Sequence, residues 1–271
     1  MSITFSSCFY IIKSKYSPEI YINWMNNFIS IVNNFNLVIF TDKKSFKYID
    51  IKNNPRIKII VKPFEFFFNY KYKDLWIENH KNNFFLNEKS MHNADWKINM
   101  LWSEKVWFVH ETAKNKYFDT EFYGWCDIGY FRNEKDHLEL SQLSNWPNNA
   151  KIENCDKNKI HYACTNNANG YMRFIEKAVK AKNAIGLPMV PIPPHQESVA
   201  GGFFILHKTK IDWWAITYNS KLELYLKNNY LVKDDQIIII DCIFTQPDKF
   251  LLHREKNCKY DNWFLFQRLL S

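Results

Sequence analysis

Ile3-Thr4-Phe5-Ser6-Ser7-Cys8-Phe9-Tyr10-Ile11-Ile12 opens the chain as an alternating run rich in β-formers and reads as a strand. Ser17-Pro18-Glu19 then combines an N-cap residue with proline at the first helical position. Behind it, apolar residues recur at Ile20, Trp24 and Phe28 and at Tyr21, Met25, Ile29 and Val32, which is helical spacing. Leu37-Val38-Ile39-Phe40-Thr41-Asp42 is an apolar second strand ending in a polar turn, and residues 56–61 supply a further short strand. This β-α-β opening, with its fully apolar second strand, predicts a parallel sheet in an α/β domain.

Working outward, a second helix is expected over residues 92–111, with Ile98, Leu101, Trp102, Lys105, Val106 and Val109 on one face. Phe122-Tyr123-Gly124-Trp125-Cys126-Asp127 reads as a strand that delivers an acid at its C-terminal end. Residues 64–90 are aromatic and Asn-rich and yield no assignable element, and residues 141–158 read as loop. Helices are expected over 171–184, 212–227 and 234–244, a Pro-rich loop over 186–195, and strands over 198–206 and 250–253. With no linker, repeat or low-complexity block, the expectation is one domain over residues 1–271, built on a mixed, mostly parallel sheet flanked by helices.

The 271 residues carry 36 Lys+Arg against 28 Asp+Glu, a formal net charge of +8. Apolar residues at 46% and a mean hydropathy of −0.40 exclude a disordered chain, a collagen-like fibre and a membrane-spanning protein. The surplus of Asn, Lys, Ile, Phe and Tyr is what AT-rich codons favour, as in AT-rich bacteria or giant viruses. The lysines are interleaved with acids and no basic run reaches five residues, which argues against a nucleic-acid partner. A phosphorylated small molecule suits the excess charge better. The first ten residues have no basic n-region and no apolar run long enough for a signal peptide, so none is expected, and Cys8, Cys126, Cys155, Cys164, Cys242 and Cys258 show no metal-binding spacing. The expected location is therefore the cytoplasm (a host's, for a viral source), with reduced thiols, no transmembrane segment, and peripheral membrane contact left open.

Four features could carry chemistry. In Trp125-Cys126-Asp127-Ile128-Gly129-Tyr130-Phe131-Arg132, an acid at the carboxyl end of a buried strand stands where open α/β sheets place ligands, and a hard carboxylate there suits Mg²⁺ or Mn²⁺. The alternative is that Asp127 caps a turn and Arg132 pairs with a surface acid. Gly201-Gly202 inside an apolar strand suggests close approach of a ligand, with His195-Gln196-Glu197 supplying polar groups at the strand's mouth; a bulge without function is the alternative. Asp234 and Asp235 are an N-cap and a first-turn acid, or one of them is a base facing the site. His253 beside Asp127 would complete a carboxylate–imidazole metal site, with Arg254 or Lys259 on phosphate, and Ser6 and Ser7 could contact a base or ribose. Signatures of P-loop NTPases, dinucleotide oxidoreductases, α/β-hydrolases and zincins are absent.

Taken in order, the Ser-Glu-Lys triplet ending at Lys105, the W-x-D-x-G-x-x-R stretch at 125–132, Gly201-Gly202-Phe203-Phe204 and Asp234-Asp235-Gln236 resemble the HtrL/YibB (WlaTC) family over roughly residues 3–265. That family of bacterial proteins is linked to surface-polysaccharide synthesis and is similar to GT-A glycosyltransferases. The resemblance implies a GT-A-like, Rossmann-like domain that moves a sugar from a nucleotide-sugar, taken to be a UDP-sugar, to a hydroxyl of a glycan. Asp127 would match the second acid of the D-x-D element and hold Mn²⁺ or Mg²⁺, while Trp125 stands where the first acid usually sits. His253 would match a late metal-binding His and leans toward retention of configuration. Gly201 and Gly202 would border the donor sugar, Lys105 would face the diphosphate, and Asp234 or Asp235 would lie near the acceptor as catalytic groups. In a retaining enzyme Asp235 or Gln196 would position substrate. Tyr10, Trp96, Trp102 and Tyr130 are candidates for stacking on the base and sugar. The competing readings are a non-catalytic nucleotide- or carbohydrate-binding relative and a basic nucleic-acid-associated protein.

Overall fold

A computed structural model describes residues 2–166, 168–256 and 259–271; Cys258 lies outside the described residues. Seven strands form one sheet: β1 (Ile3–Phe9), β2 (Asn36–Thr41), β3 (Ile57–Val61), β4 (Phe122–Cys126), β5 (Ile160–Ala163), β6 (Phe203–His207) and β7 (Phe250–His253). Their order is β3-β2-β1-β4-β6-β5-β7. All neighbours run parallel except β6, which is antiparallel to both β4 and β5. The helices are α1 (Pro18–Ser30), α2 (Lys43–Phe46), α3 (Lys73–Asn82), α4 (Lys97–Ser103), α5 (Lys105–Lys114), α6 (Asn149–Glu153), α7 (Asn169–Lys180), α8 (Ile211–Lys227), α9 (Asp235–Thr245) and α10 (Leu265–Leu269).

Strand side chains alternate between two cores, which is why the strands read as continuous apolar runs. Val38, Phe40, Tyr123, Trp125, Phe204 and Leu206 face one core, with Trp214 and Tyr218 of α8 and Ile237–Ile240 of α9 packed over it. Leu37, Ile39, Phe122, Cys126, Phe203 and Ile205 face the other, under Met25, Phe28 and Ile29 of α1 and the C-terminal Phe264, Leu265 and Phe266. The result is the expected mixed, mostly parallel α/β sheet of Rossmann-like type, covered on both faces. No helix among the described residues is long and apolar enough to cross a membrane, and the five described cysteines form no disulfide.

Several expectations shift. The helix expected over 92–111 is two helices that meet at Glu104, whose fully buried carboxylate accepts the backbone N–H groups of Phe68 (2.6 Å) and Asn69 (3.0 Å). That contact also orders residues 68–72 as a 3₁₀ turn inside the aromatic segment that yields no element from sequence. The strand expected over 198–206 begins only at Phe203, because Gly201 and Gly202 form a turn. The expected loop over 141–158 holds α6, with Asn148 as its N-cap, and β5 follows it where no strand is expected.

Candidate functional site

From β1 the chain winds outward through β2 and β3, then returns to the opposite side of β1 as β4. A crevice opens above the carboxyl ends of strands at such a reversal. Here a cleft of about 170 Å³ lies there, lined by Cys8, Phe9 and Tyr10 at the end of β1 and by Asp127, Ile128 and Gly129 after β4. Asp234 and Asp235 at the start of α9, Lys105 at the start of α5 and Trp263 complete its floor and wall.

At its centre, Lys105 Nζ donates to the carbonyl of Gly201 (2.8 Å) and pairs with Asp127 Oδ1 (3.1 Å) and Asp235 Oδ2 (3.0 Å). The Lys105 and Asp235 side chains are almost wholly buried, whereas that of Asp127 is 32% exposed. Burial opposes the charge on Lys105, but Asp127 and Asp235 outweigh it and hold the ammonium above its ordinary pKa. Burial pushes the Asp235 carboxyl up to about 7; Lys105 pulls it down, while Asp234 and Asp127 add to the rise. Trp125 donates its indole N–H to Asp127 Oδ1 at 2.5 Å and so fixes the carboxylate's orientation. Asp234 sits at the N-cap of α9 with extended backbone, but its side chain caps nothing; it pairs with Lys233 at 3.1 Å.

The glycines make room for these groups. A Cβ on Gly201 would lie 2.7 Å from Asp235 Oδ1, and one on Gly202 would lie 2.8 Å from Trp263 Nε1 and 3.1 Å from Asp127 Oδ2. Their close neighbours are thus the protein's own site residues, as Trp24 is for Gly129 at 2.7 Å. The rim is aromatic and cationic. Arg132 lies over Trp24 (4.4 Å) and Lys15 over Trp102 (5.1 Å), with Tyr16 and Tyr21 packed edge-on to Trp24. No family model and no curated protein matches this chain.

Other expected site residues lie elsewhere. Ser6 and Ser7 are fully buried in mid-strand, and Ser6 donates to Thr112 Oγ1 at 2.8 Å, so neither reaches a base or ribose. Gln196 is buried, its Oε1 taken by the backbone N–H (3.0 Å) and the hydroxyl of Ser198, and it does not line the cleft. Arg254 is exposed and donates to Asn169 Oδ1 at 3.0 Å, and Lys259 lines a separate surface depression. Of the aromatic candidates Tyr10 and Trp102 line the cleft; Trp96 does not, and neither does Tyr130, which is fully buried in a core. Trp24, Trp263 and Lys15 are missed from sequence, since only the folded chain brings them into the same cleft as Asp127. Arg132, visible in the motif, has its partner in Trp24 rather than in a surface acid.

His253 is the largest displacement. It ends β7, three strands across from β4 or about 14 Å at ordinary strand spacing. Its Nε2 lies 2.9 Å from His161 Nδ1, and His161 Nε2 lies 3.0 Å from the carbonyl of Asp156. Because a carbonyl only accepts, His161 carries its proton on Nε2 and His253 donates from Nε2. Burial, with His161 beside it, lowers His253 to about 4 and keeps the ring neutral. Its Nε2 is therefore engaged with His161.

The Mn²⁺ or Mg²⁺ that the resemblance implies does not fit this donor set. A hard divalent cation that shares substrate phosphates still needs one or two protein carboxylates free of a competing cation. Asp127 and Asp235 instead share one ammonium, Trp125 is not a ligand, and His253 ends a strand three places away from β4. Among the described residues, the one His/Cys/Asp/Glu grouping close enough to hold an ion is Glu134, Asp136 and His137, which belongs to the loop after β4 and does not line the cleft.

Proposed function

We propose that the cleft binds a nucleotide-sugar, a UDP-sugar being the first candidate, and transfers the sugar to a hydroxyl of a glycan. The observation that carries this reading is the convergence of Lys105, Asp127 and Asp235 at the carboxyl ends of β1 and β4, under an aromatic rim bearing Lys15 and Arg132. The sheet type agrees with the GT-A-like domain that the motifs suggest.

Each group has a physical role in such a transfer. Lys105, Lys15 and Arg132 offset the charge that develops on the departing diphosphate in a partly dry site. Asp235, with its carboxyl near 7, is poised to take the acceptor's proton as the new glycosidic bond forms. Asp127, clamped by Trp125 and partly exposed, presents Oδ2 to a sugar hydroxyl. Cleft volume matters as well: about 170 Å³ is below the ~300 Å³ typical of a site that engulfs a drug-sized ligand. One sugar ring therefore fits inside, and the nucleoside lies across Tyr16, Trp24 and Trp102.

The test is a panel of nucleotide-sugars incubated with the protein, with released nucleotide and melting temperature both read. Nucleotide release from one donor and a melting shift with its nucleotide support the reading, whereas no shift with UDP, GDP or CMP ends it. The pairing of both carboxylates with Lys105 favours a second reading, a non-catalytic binding protein, for which a nucleotide shifts melting while every donor stays intact.

A further inference from the structure

We infer that the Lys105 ammonium stands where a divalent cation would serve the donor diphosphate, so that the site binds its nucleotide without metal. The inference rests on the transferase reading above and adds to it the identity of the charge that meets the leaving group. Three oxygens surround Lys105 Nζ: one from each carboxylate of Asp127 and Asp235 and the carbonyl of Gly201, at 2.8–3.1 Å. Two carboxylates and a carbonyl form the oxygen set a hard cation would take, but the ammonium already occupies it, donating to the carbonyl and ion-paired with both carboxylates. A divalent ion entering here would meet a positive charge already in place.

The lysine is also built in. Its side chain is 8% exposed, and it follows Glu104, whose buried carboxylate binds the Phe68 and Asn69 amides and so anchors the start of α5. Gly201 contributes its carbonyl and, by lacking a Cβ, the space for Asp235 to reach the same ammonium. Asp127 is the most exposed of the three partners, so a phosphate oxygen entering the cleft competes for the proton on that side. Lys15 and Arg132 on the rim then lie on the cleft's outer side for the rest of the anion.

The experiment measures UDP binding to the full chain by melting shift and calorimetry, in EDTA and in millimolar Mn²⁺, with Mn²⁺ binding followed by electron paramagnetic resonance. For the native protein, equal UDP affinity in both buffers and no Mn²⁺ signal quenched at Asp127 are expected. Lys105→Met should weaken UDP in EDTA by roughly tenfold or more and create a Mn²⁺ site, because two carboxylates then share a space without a cation. Lys105→Met/Asp235→Asn, with less buried charge, serves if the single variant does not fold, and it should show the same loss in EDTA. UDP binding by native protein only with Mn²⁺, or Mn²⁺ bound by native protein and lost in Asp127→Asn, overturns the inference and leaves the transferase reading standing. Absence of nucleotide binding in both buffers overturns the two together.

Discussion

Lys105 Nζ lies 3.0 Å from Asp235 Oδ2 with both side chains less than a tenth exposed, joining the first residue of α5 to the first residue of α9. Breaking a buried pair leaves an uncompensated charge, which costs more than the pair itself contributes. At pH 8, Lys105→Met should therefore lose about 3–5 kcal/mol of stability. The double variant with Asp235→Asn should recover most of it. Urea unfolding of the four-member cycle gives the coupling, and simple additivity would show that the pair does not act as a unit.

Asp235 also sets a pH dependence. Its carboxyl is raised from 3.8 to about 7 in the fold, so the folded state binds the proton more tightly than the unfolded chain. The stability this brings is full below pH 4 and is lost as pH rises through 7. Relative to native protein, Asp235→Asn should gain stability steadily between pH 4 and 7 and change little above; a flat difference would place the carboxyl's titration elsewhere.

The same titration should shape catalysis. With Asp235 as the base, sugar transfer rises with pH through about 7, and Asp235→Asn lowers turnover by about 10²–10⁴ while donor binding persists. Initial rates and donor affinity measured across pH on the two proteins separate these effects. Equal turnover in both would assign the base to another group.

His253 gives the opposite sign. Lowered from 6.5 to about 4, it contributes stability that is present above pH 6.5 and lost as pH falls toward 4. The loss should reach about 2 kcal/mol after allowance for its partial exposure. His253→Gln, which keeps a donor but does not titrate, should flatten that acid limb in chemical denaturation.

Gly201 can be tested by crowding. A Cβ there would press on both oxygens of Asp235, at 2.7 and 2.9 Å. Gly201→Ala should cost about 1–3 kcal/mol. Within an Asp235→Ala background, where those oxygens are gone, the cost should shrink, and an unchanged cost would locate the strain in the backbone.

Much of this arrangement is legible from residues alone. The alternation in β1, the Pro18 helix start and the apolar β2 suffice for a parallel α/β sheet, since each is a local pattern. Asp127 at a strand's end and Asp235 in a first turn are local too. His253 and Ser7 mislead because their roles depend on strand order and strand face: β7 lies three places from β4, and Ser7 points into a packed interior. Glu104 splits an otherwise continuous helical pattern through contacts with Phe68 and Asn69, more than thirty positions away. Paired glycines signal close approach correctly, but sequence does not say that the visitor is Asp235 or Trp263.

The reversed direction of β6 has one more consequence. In a wholly parallel sheet, every segment bordering the cleft would have to leave a strand. Here residues 181–202 run toward the Lys105 centre before β6 starts, as a proline-rich excursion ending in Gly201, whose carbonyl Lys105 binds, and Gly202. Its Leu187, Ile192 and Val199 are packed into the core, and Val199 bridges Cys164 beyond the end of β5, so the excursion is anchored where it meets the sheet. The Gly201 carbonyl that holds Lys105 is thereby supplied by a segment entering a strand, whereas Asp127 is supplied by one leaving a strand.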